Sequence, residues 1–183
     1  MLNLQKNKIT FTEEYKMSTP KVAVIMGSDS DFPVVKKCLV MLKKFGIEAE
    51  VSVISAHRTP EMAAEYAKNA EKNGIEVIIA AAGKAAHLGG VLAAFTTLPV
   101  IGIPIKSSTM DGLDSLLSMV QMPKGIPVAT VAIDGADNAG ILAAQILSLA
   151  HEEIKPLLAA YKAEMEEEVK KKNDAIKEEA KNI

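Results

Sequence analysis

The stretch KVAVIMGSDSDFPVVKKCLVMLKKFG (Lys21–Gly46) decides the fold. Its first six residues form a short apolar run that ends in the turn-forming set Gly27, Ser28, Asp29, Ser30 and Asp31. From Phe32 to Phe45 the apolar spacing becomes helical, through Val34, Val35, Cys38, Leu39 and Leu42, and Gly46 sits where a helix closes. A buried strand, a polar turn and an amphipathic helix in that order predict one crossover unit of a parallel sheet.

The alternation continues outward. Glu48–Ser55 predicts a second strand. Thr59 and Pro60 read as the N-cap and first turn of a helix that ends at Asn73 and Gly74. Glu76–Ala82 is continuously apolar, as a strand covered on both faces should be. A helix is expected over His87–Phe95, a strand over Pro99–Ile105, a helix over Gly112–Gln121 and a strand over Pro127–Ile133. Ala136–Ala150 is apolar on more than one face, so it is expected in the interior or in an interface. The expected fold class is α/β: a flavodoxin-like three-layer αβα domain over residues 20–150 with a central five-stranded parallel sheet.

Residues 151–183 read as a long charged C-terminal helix. Ile154, Leu158, Tyr161, Met165 and Val169 form a narrow apolar stripe among Glu and Lys. Contact with a neighbouring subunit is expected, with docking on the chain's own domain as the alternative. Residues 1–19 lack an apolar segment of the signal-peptide kind and read as a poorly ordered tail, with Met17 as a second candidate start.

Bulk properties narrow the function. A chain of 183 residues suits one domain, and a formal charge of -2 gives no broad positive field for nucleic acid. No run approaches the roughly 20 apolar residues of a membrane span. The single cysteine, Cys38, cannot form an internal disulfide and reads as core filler, which fits a cytoplasmic protein. Aromatic residues are scarce and small ones abundant, so close packing of elements and shared subunit surfaces are expected.

In a parallel sheet, ligands bind outside the carboxyl ends of the strands. Four loops should meet there: Gly27–Asp31, Ser55–Pro60, Gly83–Gly90 and Lys106–Gly112. In the first, Ser28 and Ser30 offer hydroxyls beside a helix start, while Asp29 and Asp31 suit ribose hydroxyls better than a diphosphate. Plain helix capping explains the same residues. In the second, His57 can move a proton near neutral pH and Arg58 can grip a phosphate or carboxylate. A lone loop histidine is also often merely exposed. In the third, His87 lies among Gly and Ala, and Lys84 adds a cation. His151 is expected on the surface. The three histidines are far apart, and no CxxC or HxxxH occurs, so no metal is expected; nor is there a GxSxG nucleophile elbow.

Seven segments in order, MGSDSD, SAHRTP, AAHL, LPVIGIP, GLDSLLSMVQMP, GIPVATVAI and NAGILAAQIL, resemble the class I 5-(carboxyamino)imidazole ribonucleotide mutases. The resemblance runs from about Lys21 to Leu149. It implies a homo-octamer that moves a carboxylate from nitrogen to carbon on an aminoimidazole ribonucleotide, with no cofactor. It also implies His57 as the catalytic acid/base. Ser28, Asp31, Ser55, Ala56, Arg58, Gly83, Ala86, His87 and Leu88 are implied as substrate-binding positions, with Arg58 on the phosphate. Two positions depart from the family's third loop: Lys84 stands where glycine is usual and Gly89 where proline is usual. Three alternatives are a carboxylase using free carbon dioxide, which shares a basic residue near Lys84, a carboxylase of a pyridinium ribonucleotide, and a non-catalytic receiver-like module.

Overall fold

The computed structural model describes residues 19–108 and 110–183; the tail expected over residues 1–19 lies almost wholly outside them. Five strands, β1 (Lys21–Met26), β2 (Glu48–Val53), β3 (Val77–Gly83), β4 (Val100–Ile105) and β5 (Ala129–Thr130), form one parallel sheet in the order β2-β1-β3-β4-β5. Six helices accompany them: α1 (Phe32–Lys44), α2 (Pro60–Asn69), α3 (Leu88–Ala93), α4 (Leu113–Val120), α5 (Ala136–Leu147) and α6 (Ile154–Ala180). This is the flavodoxin-like α/β arrangement expected from the alternating pattern.

Period-two alternation divides the core into two layers. Val22, Val24 and Met26 of β1, with Val77, Ile79 and Ala81 of β3, pack against α1 and α5. Ala23 and Ile25, with Ile78, Ala80 and Ala82, pack against α2, α3 and α4. Cys38 is fully buried, and burial pushes its thiol pKa up to about 12, so it is filler as expected. Small residues do bring elements close: a Cβ at Gly140 would lie 2.9 Å from Met41 Cβ, so glycine there sets the approach of α5 to α1.

Four local features differ from what the sequence predicts. The fifth strand shrinks from Pro127–Ile133 to two residues, because it lies at the sheet edge and Pro127 has no N–H to donate. Thr59 does not cap α2: its hydroxyl donates back to the Ser55 carbonyl at 2.9 Å and accepts from the Ser55 N–H at 3.2 Å, closing the loop instead. His151 is buried, not exposed. The turn after α5 tucks it beneath the start of β3, where its Nε2 is 2.7 Å from a Glu76 carboxylate oxygen. The helix expected over Gly112–Gln121 spans Leu113–Val120, with Gly112 as its N-cap at a φ of 95° and Gln121 as its C-cap.

The long helix α6 divides in two. Ile154 is buried, Leu158 and Tyr161 pack on the core, and Tyr161 meets Phe45 edge-to-face at 5.8 Å. Lys44 sits 4.6 Å over the Tyr161 ring and pairs with Glu164. Beyond that point Met165, Val169 and Ile176 are exposed. Docking on its own domain therefore accounts for the first half of the helix only. No helix among the described residues is long and apolar enough to cross a membrane.

Candidate active site

Register brings the site together. Met26 at the end of β1 pairs with Val53 of β2 on one side, and Ile25 and Met26 pair with Ala80 and Ala81 of β3 on the other. The three strands therefore end nearly level, and the loops after them emerge side by side. The Gly27 N–H donates to the Ala81 carbonyl at 3.0 Å, which draws the first loop towards the third.

Between these loops lies a cavity of about 380 Å³ lined by Ser28, Asp31, Ser55, Ala56, His57, Arg58, Gly83, Ala86 and Leu88. These are the expected site residues apart from His87, which is exposed at the start of α3 and outside the lining. Gly27, Ser30, Ala82 and Lys84 complete the lining. Ser30 and Lys84 read from their loops as a hydroxyl and a cation, though the family resemblance does not place them among the substrate-binding positions.

The first loop is internally hydrogen-bonded. Ser28 Oγ accepts from the Ser30 N–H at 3.3 Å and from the Ser30 hydroxyl at 2.9 Å. Capping thus explains Ser28 locally, while its cavity position leaves it available to a ligand. Asp31 is buried to 7% exposure at the cavity floor. Burial raises its carboxyl pKa above the ordinary value; hydrogen bonding from Ser28 and Ser30 partly opposes this, and the Asp29 charge adds to it.

The second loop places the basic groups. Arg58 donates through its backbone N–H to Ser55 Oγ at 3.2 Å, through Nε to the same oxygen at 3.4 Å, and through Nη2 to the Gly27 carbonyl at 3.5 Å. The guanidinium is braced between the first two loops and still has donors free for an anion. His57 beside it is exposed, so one chain alone leaves the cavity open on that side.

The fourth loop does not join. Lys106 pairs with Asp111 at 2.7 Å, the Ser107 hydroxyl donates to Asp114 at 2.9 Å, and the Lys106 N–H donates to Asp134 at 2.9 Å. Lys106, Ser107 and Asp111 are thus engaged locally, and none of the three lines the cavity. Two hollows of about 440 and 460 Å³ flank Thr96 and Thr97 at the opposite edge of the sheet. Volume does not choose among the three; the site between the first three loops alone gathers an imidazole, a guanidinium and a buried carboxylate. Among the described residues no three His, Cys, Asp or Glu side chains are grouped as a metal would need.

The model of the family described as AIR carboxylase matches residues 21–168. The N5-carboxyaminoimidazole ribonucleotide mutase of Pyrococcus horikoshii is 58% identical over 163 residues, covering 89% of this chain and 92% of that protein. The protein of the same name from Thermotoga maritima is 57% identical over 159 residues, covering 87% and 93%. Among solved structures, Treponema denticola PurE superposes with a TM-score of 0.79 at 31% identity, covering 86% of this chain and 99% of that one.

Proposed function

The chain belongs to the AIR carboxylase family, and from that premise we propose that it is an N5-carboxyaminoimidazole ribonucleotide mutase of purine biosynthesis. Its relatives at 57–58% identity carry that activity in their names. The observation that carries the reading is one cavity holding His57 and Arg58 against Ser28, Ser30 and Asp31.

The reaction moves a carboxylate from the exocyclic nitrogen to the neighbouring ring carbon. His57, as imidazolium, donates a proton to the carbamate nitrogen; the C–N bond breaks and carbon dioxide and the aminoimidazole separate. The ring carbon, activated as in an enamine, attacks the retained carbon dioxide and forms the C–C bond. His57, now neutral, removes the proton from that carbon, which restores both the aromatic ring and the imidazolium. Atoms and charge balance without a cofactor. Retention makes recapture effectively unimolecular. Arg58 and the serine hydroxyls hold the phosphate, and Asp31 accepts from ribose hydroxyls. Gly83, Ala86 and Leu88 let the heterocycle approach the third loop closely, with Ser55 and Ala56 on the other side and His87 at the rim.

Recapture needs a cavity more enclosed than one chain supplies. The bound nucleotide and a neighbouring copy close it, the protein working as a homo-octamer in the cytoplasm. Exposed apolar residues on α4 and on the free half of α6 support that assembly.

The test is a pair of assays. Purified protein should convert the N-carboxylated ribonucleotide to its C-carboxylated isomer without added bicarbonate. Turnover of only the uncarboxylated ribonucleotide, at high bicarbonate, would overturn the mutase reading. His57→Asn should abolish turnover while leaving nucleotide binding in place; a variant that still turns over removes His57 from its role.

A further inference from the structure

We propose that Lys84 grips the migrating carboxylate, as a second anion-holding group opposite Arg58; the inference rests on the mutase reading. The ribonucleotide carries two anions, a phosphate at one end and a carboxylate on the heterocycle at the other. The cavity lining carries two side chains of full positive charge, Arg58 on the loop after β2 and Lys84 on the loop after β3. Because β1 lies between those strands, the two loops stand two strand spacings apart, about 10 Å. Arg58 is braced by Ser55 Oγ on its own loop and by the Gly27 carbonyl of the first loop, the end that the mutase reading gives to the phosphate. Lys84 is left at the other.

Nothing in the fold explains why a lysine stands there. Its φ is 58°, in the left-handed region that favours glycine. Two other non-glycine residues share that conformation, Asp111 and Asp134, and both have side chains engaged locally, with Lys106 Nζ and the Lys106 N–H. Aspartate also tolerates the region better than lysine does. Lys84 makes no ion pair among the described residues, whereas Lys106 is held 2.7 Å from Asp111. A glycine would relax the backbone and keep the close approach to the ligand. What the lysine adds is a positive charge without an ion-pair partner among the described residues, on the lining of a cavity whose other basic groups sit on the second loop.

Titration calorimetry separates the two anions. The parent, Lys84→Met, Lys84→Gly and Lys84→Arg are each titrated with the C-carboxylated ribonucleotide and with the uncarboxylated one. Lys84→Met and Lys84→Gly should lose about ten-fold in affinity for the carboxylated ligand, the worth of one charge-assisted contact, and keep their affinity for the other. Lys84→Arg should restore most of the loss, and KM for the substrate should rise in Lys84→Met more than kcat falls. Equal affinities in parent and Lys84→Met, or an equal loss for both ligands, would overturn the assignment. A parent that binds neither ribonucleotide overturns the mutase reading itself, which is a different result.

Discussion

Asp31 shows how a single residue can trade stability for a site. Its carboxyl is buried at the cavity floor with its pKa held above the ordinary value of 3.8, chiefly by burial. The folded state therefore binds the proton more tightly than the unfolded chain. The stabilisation this gives is complete below the ordinary value and is lost as pH rises through the folded one, so at neutral pH the charged group is a net cost. Asp31→Asn should raise the melting temperature of the unliganded protein by about 2 °C at neutral pH, and the gap should close as the pH approaches 3.8. The same variant should bind the ribonucleotide about ten-fold more weakly, having lost a charged acceptor. Scanning calorimetry over pH checks the first half; an unchanged or lowered melting temperature at neutral pH contradicts it. At this scale the sequence was informative where chemistry and strand position coincide: Ser28, Asp31, Ser55, His57 and Arg58 all follow strands and all line one cavity. Side-chain rotation was not legible. Thr59 occupies the textual position of an N-cap, yet the nearer Ser55 backbone takes its hydroxyl. His87 follows the same strand as Gly83, but the turn at Lys84 carries it outward before α3 begins.

Among the elements, α6 depends on a small anchor. Of its 27 residues, Ile154, Leu158 and Tyr161 meet the core, and Tyr161 combines an edge-to-face contact with Phe45 and a cation above its ring. An aromatic pair and a cation contact of this kind contribute about 2 kcal/mol together with the area they bury. Tyr161→Ala should therefore lower the melting temperature by about 6 °C and free the helix. Hydrogen exchange would show protection lost along α6 while β1 and β3 keep theirs; an α6 that stays protected would mean that something other than this anchor holds it. The element pattern shows why most of the fold was readable and part was not. Strands β1, β3 and β4 are buried on both faces and read as unbroken apolar runs. The fifth run looks equally apolar over Pro127–Ile133, but apolarity does not create ladder hydrogen bonds. At the edge, with a proline near its start, it pairs over two residues only. His151 was misplaced for the complementary reason, because its partner Glu76 is distant in sequence and a charged neighbour hides burial.

For the molecule as a whole, the open side of the cavity and the exposed apolar surface meet at one helix. Leu113, Leu117 and Val120 lie along one side of α4 at helical spacing and are each close to half exposed, with Met110 just before them. The opposite side of the helix, through Ser115 and Met119, is already packed on the sheet. A contiguous stripe of this kind is seldom left to solvent in a soluble monomer. It starts at the edge of the sheet where the strands end, the edge that also carries the cavity, and His57 is exposed there. A second copy of the chain seated on α4 would bury the stripe and stand beside the open mouth at once, so assembly and containment of carbon dioxide become one requirement. The double variant Leu113→Asp with Leu117→Asp should accordingly fall from the proposed octamer of 19.5 kDa chains to smaller species in light scattering while keeping its helical circular dichroism. Turnover should fall by at least about 100-fold, since a step that relies on retained carbon dioxide loses its effective concentration when the site opens to water. The decisive comparison is ligand binding against turnover: the dissociated variant should still bind the uncarboxylated ribonucleotide and release carbon dioxide from the N-carboxylated one without recapturing it. A variant that keeps its mass, or that dissociates and still isomerises at the parent's rate, would separate closure of the site from assembly through α4.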